Sequence, residues 1–200
     1  MTRAAADDRE HVRDELNRLL AGRPIVLVGM MGAGKTTVGR RLAAKLGRRF
    51  IDSDQEVEKA AGMSIEDIFR LRGESDFRTG EAKVIARLLK EENAVLGTGG
   101  GAFINDDTRA LIKQAAVSVW IKADFEILFA RVSRRSTRPL LRTANPRETL
   151  RGLMDVRYPL YAEADVTVVS RDIPQDQVAN EVINALLAHL NEPEGAAHGE

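Results

Sequence analysis

The feature that most constrains this chain is the octet Gly29-Met30-Met31-Gly32-Ala33-Gly34-Lys35-Thr36. It fits G-x-x-x-x-G-K-[ST], the spacing of a phosphate-binding loop set between a strand and a helix. Both flanks meet that requirement. Pro24 to Val28 is a short apolar run rich in β-branched residues, as a buried strand needs. From Lys35 to Leu46, Val38, Leu42, Ala43 and Leu46 recur at helical spacing. In such a unit the loop's backbone N–H groups wrap phosphates and the helix N-terminus adds partial positive charge. Lys35 would reach the β- and γ-phosphates, the Thr36 hydroxyl would ligate Mg²⁺, and Thr37 would follow in the first helical turn. The sequence therefore predicts a nucleoside triphosphate site.

The remaining pattern alternates strands and helices. Strands are predicted at 24–28, 48–52, 94–98, 117–121 and 166–169. Helices are predicted at 10–21, 35–46, 55–61, 64–71, 76–91, 106–114, 124–133, 146–162 and 174–190, with a break or bend near Pro159. Strands separated by helices imply a parallel sheet covered on both faces, a three-layer α/β/α fold with five strands. We divide the chain into an N-terminal extension over 1–22, loose before residue 10 and helical after it, and a P-loop domain over 23–190. Within that domain lies a mobile lid at about 134–146, and a disordered tail over 191–200 follows it. The 30 basic and 30 acidic side chains cancel, so no global field favours nucleic acid or an anionic membrane. The absence of cysteine excludes a disulfide framework and fits a reducing cytoplasm. The charged N-terminus does not read as a secretory signal, and no apolar run has membrane-spanning length. A monomer is the default expectation.

In an open α/β sheet, ligands collect beyond the carboxyl ends of the strands. Strand one delivers the P-loop there, strand two Asp52-Ser53-Asp54, and strand three Gly99-Gly100-Gly101. Asp52 suits a metal-bound water, and Asp54 suits orientation or deprotonation of an acceptor hydroxyl; capping of the next helix by Asp54 is the alternative. Three consecutive glycines let a small ligand approach the backbone, or simply form a turn. Arg78, beside Phe77, and Arg157 could each pair bidentately with a carboxylate or phosphate, or could lie on solvated helix faces. Six arginines between 131 and 147 suit a lid over nucleotide phosphates. A nucleic-acid patch is disfavoured, because the segment carries no aromatic residue for base stacking. His11, His189 and His198 make no metal spacing, so Mg²⁺ is the one metal expected.

Taken together, these residues resemble the shikimate kinase family, small P-loop kinases of the nucleoside-monophosphate-kinase type. The likeness runs from about Pro24 to Leu190. It rests on the loop with Thr37-Val38-Gly39, Phe50-Ile51-Asp52-Ser53-Asp54, Gly73-Glu74-Ser75-Asp76-Phe77-Arg78-x-x-Glu81, Gly97-Thr98-Gly99-Gly100-Gly101-Ala102, Arg138-Pro139-Leu140-Leu141 and Arg157-Tyr158-Pro159-Leu160-Tyr161. The resemblance implies that ATP, with Mg²⁺ held by Thr36 and Asp52, phosphorylates the 3-hydroxyl of shikimate. It implies Asp54 on the ring hydroxyls as candidate base, with Arg78 and Arg157 clamping the carboxylate. Glu81 would position Arg78, and Phe77 and the glycine triplet would close on the ring. Arg138 would approach the transferring phosphoryl group, Arg131 would lie against adenine, and the turn from Arg171 to Pro174 would close the adenine pocket. The glycine segment stands in for the usual acidic second nucleotide motif. A gluconate or nucleotide kinase would share the P-loop without this combination. A non-catalytic nucleotide-gated module would need no acceptor residues.

Overall fold

The computed structural model describes residues 3–134 and 143–192; Arg138, the interior of the expected lid and most of the expected tail lie outside them. Five strands form one parallel sheet: β1 (Ile25–Val28), β2 (Arg49–Asp52), β3 (Ala94–Gly97), β4 (Val117–Lys122) and β5 (Val166–Val169). Their order is β2-β3-β1-β4-β5, with Ile25 level with Val95 on one side and Val117 on the other. Position in the sheet explains strand composition. Central β1 has all four side chains fully buried, each worth roughly 1.5–3 kcal/mol relative to exposure. Edge strand β5 alternates, with Val166 and Val168 inward and Thr167 and Val169 outward.

Helices α1 (Arg3–Leu20), α2 (Lys35–Leu46) and α8 (Gln175–Asn191) pack on one another. Helices α3 (Ser53–Ala61), α4 (Ile65–Leu88) and α5 (Asp106–Ala115) form a second group. Helices α6 (Phe125–Ser133) and α7 (Pro146–Tyr161) meet beside it, α7 against a 3-10 turn at Ala102–Ile104.

The boundaries differ from the sequence reading where local chemistry competes. Helix α1 begins at Arg3, so part of the stretch read as loose is helical, consistent with good helix formers such as Ala4 to Ala6. Leu16 and Leu20 of this helix are fully buried in the core. Asn17 joins α1 to the end of α2: its Nδ2 donates to the Leu46 carbonyl at 3.0 Å, and its Oδ1 accepts from Arg48 Nε at 2.7 Å. The two helices read at 64–71 and 76–91 are both present within α4, which kinks between them at the non-helical Gly73 (φ 84°, ψ 172°). Its start is capped as expected, Ser64 Oγ accepting from Asp67 N at 3.1 Å. The break expected at Pro159 does not occur. Helix α7 runs through to Tyr161, because Pro159 and Asp155, whose carbonyl the missing N–H would have met, both face solvent.

Candidate active site

The P-loop follows β1 at the carboxyl edge of the sheet. Gly29 has φ 133°, and a Cβ there would stand 2.7 Å from the Ile121 carbonyl oxygen and 3.2 Å from the Trp120 ring. Both conformation and space demand glycine at this turn. Lys35 Nζ arches back over the loop and donates to the Gly29 and Met30 carbonyls at 2.7 and 3.0 Å. Thr36 Oγ1 donates to Asp52 Oδ2 at 3.1 Å, so the hydroxyl opening α2 and the carboxylate ending β2 share one point. Asp52 Oδ1 accepts from the backbone N of Asp54 at 3.1 Å. The cap of α3 is therefore Asp52, which settles the alternative raised for Asp54. Helix α3 consequently starts at Ser53, two residues before its predicted start.

These groups line a cleft of about 380 Å³ that also includes Gly32, Gly34, Thr37, Arg131, Arg134 and Gln175. Arg131 ties its far wall together: Nη1 donates to Ser170 Oγ at 3.0 Å and, at 3.4 Å, to the Gly32 and Ala33 carbonyls, while Nη2 donates to the Arg171 carbonyl at 3.1 Å. Lysine and two arginines facing a pocket ringed by backbone N–H groups suit a polyanion.

A second cleft of about 100 Å³ is lined by Ile65, Phe69, Phe77, Arg78, Glu81, Gly101 and Arg157. It shares Met31, Asp54, Gly99 and Gly100 with the first, so the two clefts meet along these four residues, of which Asp54 alone is ionisable. Arg78 Nη1 donates to Glu81 Oε2 at 2.7 Å, Nη2 to Glu74 Oε1 at 3.0 Å, and the guanidinium lies 4.9 Å from the Phe77 ring centroid. Burial works against the Arg78 charge, but Glu81 and Glu74 more than offset it and raise its pKa. The Glu81 side chain is only 4% exposed. Burial pushes its carboxyl above the usual range against the pull of Arg78, and the Asp54 charge adds to the push. Among the described residues, the buried Glu81 Oε1 has no hydrogen-bond partner. Arg157, also buried, donates from Nη1 to the Gly100 carbonyl at 3.2 Å.

The glycine triplet makes this closeness possible. A Cβ on Gly101 would fall 2.3 Å from Arg78 Nη1, and one on Gly99 would fall 2.7 Å from both Asp54 Oδ1 and Glu81 Oε1. The triplet is anchored by Thr98 Oγ1, which donates to the Leu27 carbonyl at 3.0 Å, and by Gly99 N, which donates to Ser53 Oγ at 3.2 Å. It is a packed wall of the site rather than a plain turn.

A family model described as shikimate kinase matches residues 31–187, most of the chain. The chain belongs to the shikimate kinase family. It is accordingly an ATP-dependent kinase of a family that generally needs a divalent metal. The shikimate kinase of Bradyrhizobium diazoefficiens is 54% identical over 171 residues, covering 86% of this chain and 83% of that one. A solved shikimate kinase from Acinetobacter baumannii in complex with shikimate has a TM-score of 0.82 at 40% identity, covering 86% of this chain and 97% of that one. A gluconokinase from Sinorhizobium meliloti, covering 84% of this chain and 93% of its own, has a TM-score of 0.57 at 19% identity, a likeness of fold alone. Among the described residues, no helix is long and apolar enough to cross a membrane.

Of the shikimate kinase residues read from the sequence, Asp54, Phe77, Arg78, Glu81, Gly99, Gly100, Gly101 and Arg157 come together in the smaller cleft. Met31, Gly32, Gly34, Lys35, Thr36, Thr37, Asp52 and Arg131 line the larger one. Gly29, Met30 and Ala33 belong to the loop without facing that cleft, and Arg171 and Pro174 are not among its lining residues. The Arg171 guanidinium instead pairs with Glu181 at 2.6 Å. Sequence reasoning gave no role to Gln175, whose Oε1 lies 2.7 Å from where a Gly34 Cβ would be. It also passed over Ile65 and Phe69, and it included Tyr161 in the motif from Arg157 to Tyr161 without giving it a role. Only Tyr161 carried a signal, its position four residues after Arg157, one helical turn along the same face.

Proposed function

We propose that this protein transfers the γ-phosphate of ATP to the 3-hydroxyl of shikimate, giving shikimate 3-phosphate and ADP, a step of aromatic amino-acid biosynthesis in the cytoplasm. The observation that carries this reading is the meeting of the two clefts at Asp54: a phosphate-binding loop on one side, and two arginines facing a small, partly apolar pocket on the other. A compact hydroxylated ring acid fits the second cleft. Its carboxylate would pair with Arg78 and Arg157, and its ring would lie between Phe77 and Gly99 to Gly101. Its hydroxyl would point at Asp54, which orients it and accepts its proton.

Phosphoryl transfer needs mainly positioning and charge neutralisation. Lys35 leaves the loop carbonyls for the β- and γ-phosphates, a short swing because Gly29 and Met30 already hold its ammonium over the loop. Glu81 holds Arg78 in place through the 2.7 Å pair. Arg131 borders the adenine, with the turn from Arg171 to Pro174 behind it through the Arg171 carbonyl, and Arg138 approaches the transferring phosphoryl group. The Thr36 hydroxyl and Asp52 carboxylate, 3.1 Å apart, form a hard-oxygen pair suited to Mg²⁺. With one carboxylate present, the ion's other ligands would be water and phosphate, as is usual for Mg²⁺. When bound, the ion supplies charge neutralisation at the phosphates.

The test is ADP release with ATP and Mg²⁺, comparing shikimate, gluconate, AMP and no acceptor. Turnover with shikimate alone is expected. Turnover with gluconate or AMP and not shikimate would reject the acceptor site, and ATP binding without turnover on any acceptor would leave a regulatory module.

A further inference from the structure

Tyr161 is fully buried, yet the mechanism above gives it no task. Its hydroxyl donates to the Gly100 carbonyl, which also accepts from Arg157 Nη1 at 3.2 Å. The same hydroxyl lies 3.9 Å from Met30 Sδ in the P-loop. Gly100 is a junction: a Cβ on it would lie 3.4 Å from Met31 N, 3.5 Å from the Gly29 carbonyl oxygen and 3.5 Å from Arg157 Nη1. The Tyr161 ring is seated against Trp120, 6.0 Å between centroids, and Trp120 lies beneath Gly29. Arg157 and Tyr161 stand one turn apart on α7 and converge on one backbone oxygen.

We propose that Tyr161 is a positioning residue for the acceptor. It fixes the Gly100 peptide and, through that shared carbonyl, the guanidinium of Arg157, so that Arg157 meets the substrate carboxylate in register with the P-loop. This rests on the shikimate reading above. Two physical points favour it. A buried phenol is retained only with a partner, and here the partner is a carbonyl in the wall between the two clefts rather than a remote one. Burial also pushes the Tyr161 pKa up to about 12, so the hydroxyl remains a donor across the working pH range. Neither tyrosine lines a cleft itself, and Tyr158 supplies the contrast through its partner: its hydroxyl donates to the Ala123 carbonyl, whereas Tyr161 donates to Gly100, which lines both clefts.

The experiment compares wild type, Tyr161→Phe and Tyr158→Phe by steady-state kinetics, shikimate calorimetry and thermal unfolding. Both variants delete one hydroxyl and retain the ring, and thermal unfolding reads the stability each loses, with the fully buried Tyr161 expected to lose more than the half-buried Tyr158. Tyr161→Phe is expected to raise the shikimate KM and Kd roughly tenfold, the scale of one lost hydrogen bond compounded by a loosened Arg157, with the ATP KM within about twofold. Tyr158→Phe is expected to leave both KM values unchanged. A shikimate KM and Kd unmoved in Tyr161→Phe, or an equal rise for both substrates alongside the Tm loss, overturns the proposal. Wild-type protein with no shikimate-dependent turnover would remove the underlying function reading, and this proposal with it.

Discussion

Replacing Arg78 with alanine separates substrate recognition from stability, because the side chain has distinct partners for each. It faces the smaller cleft, three-quarters covered, and holds Glu81 at 2.7 Å. A charge-assisted bond to a substrate carboxylate is worth about 1.5–3 kcal/mol, so the shikimate KM should rise roughly 10- to 150-fold. Removing one partner of a buried pair costs about 3–5 kcal/mol in general. Arg78 is a quarter exposed and Glu81 can take a proton, so about 1–3 kcal/mol is the expected loss here. The loss should depend on pH in a fixed direction. Burial raises the Glu81 pKa above its ordinary 4.5, and Arg78 opposes that rise. Without Arg78 the folded-state pKa climbs further. A carboxyl that binds protons more tightly folded than unfolded contributes its full stability below the unfolded value. That contribution is lost as pH rises through the folded value. The penalty of Arg78→Ala should therefore be smaller near pH ~5 than near pH ~8. Coupled kinetics gives the KM, and urea unfolding at the two pH values gives the penalties. An unchanged shikimate KM would refute the clamp. A penalty that does not grow with pH would refute the account of Glu81 as a buried carboxyl held charged by Arg78.

Asp54→Asn should lower kcat by roughly 10²- to 10⁴-fold with a small change in shikimate Kd, since the amide keeps the shape and loses the base; full turnover would remove Asp54 from the chemistry. Gly101→Ala would place a methyl 2.3 Å from Arg78 Nη1, so the shikimate KM should rise while the Tm stays near wild type; unaltered kinetics would show that the wall can yield. Leu16→Ala, in a fully buried position of α1, should cost about 2–5 kcal/mol in urea unfolding, and a loss below ~0.5 kcal/mol would show that the helix is not part of the core.

Much of the site was legible because its chemistry is local. A P-loop needs consecutive residues between a strand and a helix, and a triple glycine has few other uses. Roles that depend on a neighbour distant in sequence were not legible. The sequence separates the tasks of Asp52 and Asp54 but leaves capping open for Asp54, and the hydrogen bond from Asp54 N to Asp52 Oδ1 makes Asp52 the cap. Gln175 reaches the larger cleft from a helix whose periodicity reports only that it is a helix. Pro159 is accommodated within α7 on a solvent-facing turn, an outcome that its local preference against a helix interior does not report.

By itself the sequence determined the class of fold, the strand, loop and helix of the P-loop and most of the residues that line the two clefts, since these follow from periodicity and from runs of a few residues. The tertiary structure decided which carboxylate faces which cleft. It also made Gly100 a junction shared by the P-loop, Arg157 and Tyr161, and turned the N-terminal helix into core through Leu16, Leu20 and Asn17. Those outcomes hang on contacts between segments tens of residues apart. Such contacts are set by burial and pairing in the assembled sheet and by no preference that a single segment carries.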